Sequence, residues 1–412
     1  MQNWAGNVTF NAARVERPTS LAQLQDIVRA SPKARVVGSG HSFNPIADTE
    51  GTLISLRDMP RIVEVDTAAQ SVRVDGGATY EDVAPILHGA GFALAALASL
   101  PSITLAGAVS TATHGSGDRN RNLSAAVRSL TLVTASGDLA TFDRSHPDFA
   151  GIVVGLGAMG VVCELTLDIV RQFDIRQNIY LDLPVPSLLA DFDGAMSAAY
   201  SVSLFTRWQG DVVDQLWIKA LDTPEAPVLS FMGARAADRA VHPLPGGDGA
   251  RCTIQLGEAG PWHERLFHFP IGSISATGAE LQSEFFVQRK DAAAAFAALH
   301  AVQDRISGPL FISEIRTIAA DDLWLSSAYG QESVGIHFTW KPQWDAVIAA
   351  VKVIEETLAP FEPRPHWGKV YTVPAAEVRS RYPRMADFAA LVQRLDPEGK
   401  FRNRFVDTLL NG

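Results

Sequence analysis

Apolar residues in the first third of the chain return in two rhythms. In SLAQLQDIVRA, Leu21, Leu24, Ile27 and Val28 recur every three or four positions and so share one stripe of a helix, with Ser20 and Gln23 at capping-box spacing. Thr79 with Asp82 opens a second helix, YEDVAPILHGAG, which Gly91 stops. Alternating or β-branched runs predict strands at the start of ARVVGSGHSF (34–43) and in TLISL (52–56), RIVEVD (61–66), SVRVDGG (71–77), SLTLVTA (129–135), DLATFD (138–143) and VVCELTLDIV (161–170). After about Arg171 the strands lengthen and gain Trp and Phe, as in SVSLFTRWQG (201–210). Helices KDAAAAFAALHAVQDRI (290–306) and WDAVIAAVKVIEETLA (344–359) enclose strands FISEIRTI (311–318) and SVGIHFTW (333–340), and PRMADFAALVQRLDPEGKFRNRF ends the chain as helix plus turn. These elements do not wind as repeated βαβ units, so the expected class is α+β.

Composition narrows the reading. A chain of 412 residues exceeds what one hydrophobic core usually organises, which points to two domains. With 47% hydrophobic and 19% charged residues it is not a disordered chain. A formal charge of -10 without a basic run argues against nucleic acid or an anionic membrane as partner, and no protein partner is indicated. No stretch is apolar enough to span a bilayer and MQNWAGNVTF lacks the features of a secretory signal, so a soluble cytoplasmic protein is expected. Cys163 and Cys252 read as free buried thiols, and His263 with His268 lacks helical ligand spacing, so no metal is expected.

Three constellations carry chemistry. VVGSGHSFN (36–44) is a β run ending in Gly38, Ser39 and Gly40, small residues that let backbone N–H groups approach a diphosphate, although they also make an ordinary turn. The stretch lacks the third glycine and the acidic partner of the dinucleotide fingerprint. His41 has no packing reason to stand beside such glycines, and it tips the reading toward a cofactor. ASLPSITLAGAVSTATHGSG (98–117) is almost free of charge and could wrap a flat ligand with backbone donors, or serve as a buried loop. Glu314 with Arg316, and His337 with Thr339, are two apart on predicted strands, so each pair shares a face; Lys369 follows in HWGK. Converging on one cleft, these groups would suit a neutral polyhydroxylated substrate and lower the pKa of the hydroxyl that reacts. A surface salt bridge is the alternative for Glu314 and Arg316.

Across the whole chain these segments resemble the alditol and aldonolactone oxidase branch of the vanillyl-alcohol oxidase family of flavoproteins. The resemblance runs through NWAGN (3–7), VVGSGHSFN, ASLP (98–101), THGSG (113–117), LQSE (281–284), EIRT (314–317), HFTW (337–340), RPHWGK (364–369) and LDPEGKF (395–401). It implies a two-domain FAD-binding fold: an FAD domain over 1–172, an antiparallel-sheet substrate domain over 173–374, and a segment over 375–412 returning to the FAD side. It implies FAD bonded covalently to His41, with Val36, Val37, Gly38, Ser39, Gly40 and Ser42 along the diphosphate. Ser99, Thr104, Gly107, Ala108, Val109, Ser110, His114 and Val162 would follow the rest of the cofactor. Ser99, Gln282, Glu314, Arg316, Thr339 and Lys369 would bind the polyol, with Arg316, Lys369 and His337 catalytic. The implied reaction oxidises a terminal primary hydroxyl of alditols such as xylitol or sorbitol to an aldehyde and reduces O₂ to hydrogen peroxide. An aldonolactone oxidase or dehydrogenase is the alternative, and a non-catalytic sugar-binding protein is a remote third. One stretch departs from the family pattern: DRNRN (118–122) brings charge where small neutral residues are expected.

Overall fold

Leu21–Ala30 is helical where the apolar stripe places it, and Ser20 Oγ accepts the Gln23 N–H at 3.2 Å. Gln23 does not complete the box on Ser20; its side chain reaches one residue further back, to the Thr19 N–H at 2.7 Å. Thr79 and Asp82 do form the reciprocal box, at 2.9 and 3.3 Å, and start the helix Tyr80–Gly89. Gly91 follows in the left-handed region at φ +85°, where a side chain would be strained. The structure, a computed structural model, describes residues 1–222, 230–273 and 279–411.

The amino-terminal strands divide between two sheets. Arg14–Glu16, Thr52–Ile54 and Ala34–Val36 make a small parallel sheet with Thr52–Ile54 in the middle. Val63–Asp66, Ser71–Asp75, Val161–Asp168, Val127–Val133 and Leu139–Asp143 make an antiparallel sheet in that order. Two expected strands end early. TLISL stops at Ile54 and turns into the 3₁₀ segment Leu56–Asp58. VVCELTLDIV breaks at Ile169, whose N–H is taken by Gln70 O at 3.1 Å, so Val170–Arg171 pairs with Phe92–Ala93 instead.

The second half builds a ten-stranded antiparallel sheet. Its central path runs Asp174–Pro184, Val212–Leu221, Ser201–Thr206, Leu310–Ile318, Ser333–Trp340, Leu281–Gln288 and Arg364–Pro365. Period-two alternation sorts its two faces. Phe285, Ile315, Ile336, Phe338 and Trp340 pack with Phe296 and Leu299 of the helix Ala292–Ala301 and Val351 and Ile354 of the helix Trp344–Leu358. Glu284, Glu314, Arg316, His337 and Thr339 therefore share the opposite face, and a one-residue slip in register would exchange the two sets. The helix expected over 290–306 is broken: β-branched Val302 leaves helical geometry at φ −111°, ψ 16°, and Gln303–Ile306 is a separate turn.

The carboxy-terminal helix Met385–Leu395 buries Phe388, Leu391 and Val392 in the core that holds Val72, Val74 and Leu165 of the five-stranded antiparallel sheet. Among the described residues no helix is long and apolar enough to cross a membrane. Cys163 and Cys252 are free and buried.

Candidate active site

A cavity of about 700 Å³ lies between the glycine-rich loops and the polar face of the large sheet. The two loops meet tightly. A Cβ on Gly38 would fall 2.2 Å from Thr104 Oγ1 and one on Gly107 would fall 2.7 Å from the same oxygen, so neither position has room for a side chain as it stands. Gly40 adopts φ +75°, which turns the backbone just ahead of His41. Both ring nitrogens of His41 are buried and, among the described residues, have no hydrogen-bond partner; Trp4 stacks on the ring at 4.7 Å. Burial pushes the His41 pKa down to about 4, so the imidazole is neutral and nucleophilic at ordinary pH. The loop is then clamped from the far end of the chain. Phe43 N–H donates to Gly368 O at 2.7 Å, and Asn44 Nδ2 donates to the carbonyls of Trp367 and Lys369 at 2.8 and 2.9 Å.

On the sheet face, Glu284, His337 and Glu314 stand in one row across three strands, and Gln282 is opposite Thr339. Lys369 Nζ bonds Glu284 Oε2 at 2.6 Å and His337 Nδ1 at 2.7 Å, while His337 Nε2 is 3.0 Å from Thr339 Oγ1. Arg316 donates to Ser99 Oγ and to Glu284 Oε1, both at 3.3 Å; among the described residues its buried Nε has no hydrogen-bond partner, with Glu314 Oε1 at 3.5 Å. His114 lies between two acceptors, Glu284 Oε1 at 3.0 Å and Gly115 O at 2.8 Å. His366 Nδ1 accepts from Gly368 N–H at 3.1 Å, which leaves the Nε2 proton for another partner.

Electrostatics follow from this crowding. Burial alone would raise the Glu284 pKa, but Lys369, His114 and Arg316 together hold it well below the usual carboxylate range. Glu314 is likewise held low against its burial, chiefly by Arg316 and His268. Burial lowers Lys369, with Glu284 opposing, and burial followed by the Lys369 charge holds His337 well below its ordinary value. Burial also depresses His114 and His366. The Glu280 carboxyl is shifted the other way, upward, by burial.

The sequence has close relatives. A family model described as an FAD binding domain matches residues 12–143, and one described as D-arabinono-1,4-lactone oxidase matches residues 280–409. Alditol oxidase from a Streptomyces species is 45% identical over 413 aligned residues, covering 100% of this chain and 99% of the relative. The chain belongs to the aldonolactone oxidase branch of the vanillyl-alcohol oxidase family. L-gulono-1,4-lactone dehydrogenase from Mycobacterium tuberculosis is 29% identical, covering 99% of this chain and 98% of that protein. Cholesterol oxidase from B. sterolicum aligns in structure with a TM-score of 0.79 at 15% identity, over 99% of this chain and 96% of that one, a likeness of fold. The α+β class and the two-domain FAD-binding architecture expected from the sequence are thus both found.

As a member of this branch the protein is an FAD-dependent oxidoreductase, and its own residues fit the cofactor. The glycine cradle at Gly38 and Gly107, and the two orphaned nitrogens of His41, are features that a bound flavin nucleotide would account for. Val36, Val37, Gly38, Ser39, Gly40, His41 and Ser42 all line the cavity, as do Ser99, Thr104, Gly107, Ala108, Ser110, His114 and Val162. Val109 does not; its side chain turns into the large core with 1% exposure. Gln282, Glu314, Arg316, His337, Thr339 and Lys369 line the same cavity from the sheet side. Glu314 and Arg316 are 5% and 6% exposed, so a surface salt bridge is excluded for them.

Several lining residues were not singled out in the sequence. Glu284 lies within the LQSE segment, two positions from Gln282 and therefore on the same strand face. Glu280 extends that row, and Gln282 Nε2 donates to Glu280 Oε1 at 2.7 Å. His268, His366 and Trp4 also line the cavity; Trp4 belongs to the NWAGN segment, but nothing in its spacing points to His41. The departing stretch 118–122 has structural partners: Asp118 binds Arg289 at 2.5 Å, and Asn122 binds Asp321 at 3.1 Å.

Proposed function

We propose that the protein oxidises the terminal primary hydroxyl of alditols such as xylitol and sorbitol to the aldehyde, with O₂ as electron acceptor and hydrogen peroxide as product. The observation that carries this reading is the single polar face holding Lys369, His337, Arg316, Glu284, Glu314 and Thr339 across the cavity from the glycine loops. It offers more hydrogen-bonding groups than one hydroxyl can use, and the 45% identical alditol oxidase supports the substrate class. FAD, when bound, supplies the acceptor for the electron pair that leaves the carbinol carbon. We assign its covalent attachment to His41, whose neutral ring has no hydrogen-bond partner among the described residues.

The chain's residues manage the proton and the charge. In the form with Lys369 as the free amine, toward which burial shifts it against the opposing charge of Glu284, His337 Nδ1–H donates to it and His337 Nε2 becomes the acceptor beside Thr339. A proton taken from the substrate hydroxyl at Nε2 is matched by transfer of the Nδ1 proton to Lys369, which ends as an ammonium 2.6 Å from the Glu284 carboxylate. Arg316 Nε, buried and without a hydrogen-bond partner among the described residues, is available to the developing alkoxide. Ser99, Gln282, Glu314 and Thr339 orient the remaining hydroxyls.

Peroxide formation on xylitol, sorbitol and L-gulono-1,4-lactone tests the assignment. A kcat/KM on xylitol at least roughly tenfold above that on the lactone, about 1.4 kcal/mol in selectivity, is expected. The reverse preference moves the enzyme to the lactone oxidases, and a colourless, flavin-free protein overturns both.

A further inference from the structure

Lys219 is a buried lysine that the scheme above does not use. It stands on the strand Val212–Leu221 with 1% exposure, and its Nζ donates to Leu266 O at 2.6 Å, Phe267 O at 3.0 Å and His268 Nδ1 at 3.2 Å. Glu314 is held ionised and can only accept, so the His268 ring proton sits on Nε2, which donates to Glu314 Oε1 at 2.8 Å and leaves Nδ1 to accept. Below about pH 7, where Lys219 is an ammonium, its three protons match its three acceptors. Phe205 and Trp217 wall the ring at 5.6 and 5.2 Å, and the His268 backbone N–H donates to Ser99 O at 3.1 Å. Ring position and tautomer are therefore set from both sides. Glu314 Oε1 is occupied, whereas among the described residues no hydrogen bond reaches Glu314 Oε2, and Glu314 lines the cavity.

We propose that Lys219 and His268 are positioning residues that hold Glu314 with one oxygen turned to the substrate, so that a secondary hydroxyl able to donate becomes a requirement for efficient turnover. The proposal rests on the alditol reading of the site. The same order of lysine, imidazole and oxygen occurs at Lys369, His337 and Thr339, but there it ends on a hydroxyl that can donate. Here it ends on a carboxylate held ionised, which can only accept. A carbon chain bearing hydroxyls satisfies both; one with a methylene or a carbonyl at the Glu314 position leaves that oxygen unsatisfied.

The test compares xylitol with pentitols each lacking one secondary hydroxyl, using flavin-loaded wild type, His268→Gln and Lys219→Met. In wild type one deoxy compound should lose roughly ten- to a hundredfold in kcat/KM, as expected for a hydrogen bond to a charged group. In both variants that ratio should fall toward one, through a higher KM for xylitol, with the poor substrate little changed. Unchanged discrimination in His268→Gln overturns the proposal, even where Lys219→Met does not fold. Histidine ¹⁵N spectra, assigned with His268→Gln, give a readout free of substrate: wild-type His268 should be neutral and protonated at Nε2, and a proton at Nδ1 overturns the proposal. Wild type inactive on every polyol, with the His268 signal as expected, would instead sink the alditol reading.

Discussion

Lys369 Nζ and Glu284 Oε2 lie 2.6 Å apart, and the Glu284 side chain has no solvent exposure. The same carboxylate takes Arg316 and His114 on its other oxygen, so one buried anion gathers three basic groups. Glu284→Gln removes the charge while keeping the shape. Breaking a buried pair in this way costs about 3–5 kcal/mol, because the cations left behind are uncompensated. Denaturant unfolding of the holoprotein should show a loss of that order, and a neutral response would mean that Glu284 is already protonated.

His41→Ala should release the flavin. Acid precipitation of wild type is expected to carry the yellow absorbance into the pellet, whereas the variant leaves it in the supernatant. Flavin that stays with the denatured variant would move the bond to another residue.

Lys369→Met, which removes the terminal proton acceptor, and Arg316→Met, which removes a donor aimed at developing charge, should each slow anaerobic flavin reduction by xylitol by roughly a hundredfold, about 3 kcal/mol. The wild-type limiting rate should also rise with pH and level off below the ordinary lysine value of 10.5, because burial lowers the Lys369 pKa and the free amine is the accepting form. Lys369→Met should lose that rise. Stopped-flow traces at saturating xylitol measure both effects; a rate independent of pH in wild type would place the acceptor elsewhere.

Lys219 makes a separate prediction about stability. Burial lowers its pKa to about 7, against the opposing charges of Glu314 and Cys252 and with Arg316 adding to the depression. Between about pH 7 and the ordinary lysine value of 10.5 the unfolded chain therefore holds a proton that the folded chain has released. Stability rises with pH wherever the unfolded state binds more protons. The unfolding free energy of wild type minus that of Lys219→Met should grow from about pH 7 to pH 10, and a flat or falling difference would contradict the depressed pKa.

What the sequence disclosed depended on whether local pattern carried the information. Period two on 311–318 and 333–340 is enough to put Glu314 with Arg316, and His337 with Thr339, on common faces. It says nothing about register between strands, and only register brings Glu284 beside His337. Lys219 reads as an ordinary lysine at a strand end, since its acceptors are carbonyls of a loop 47 and 48 positions later. Val109 follows small residues that do face the cavity, yet its larger side chain belongs to the core. The break at Val302 has no proline or glycine to announce it.

The clamp on the His41 loop orders events in time. Asn44 is held by carbonyls 323 and 325 positions later, and Phe43 by the one at Gly368. During synthesis the glycine loop emerges long before the segment that holds it, and closing so long a stretch of chain carries an entropic cost that local turns do not. A nascent chain stopped short of Trp367 has the glycines and the histidine but not the frame that aims them. On the proposed linkage through His41, attachment of the cofactor is accordingly expected late in maturation, after the last strand and its loop have docked.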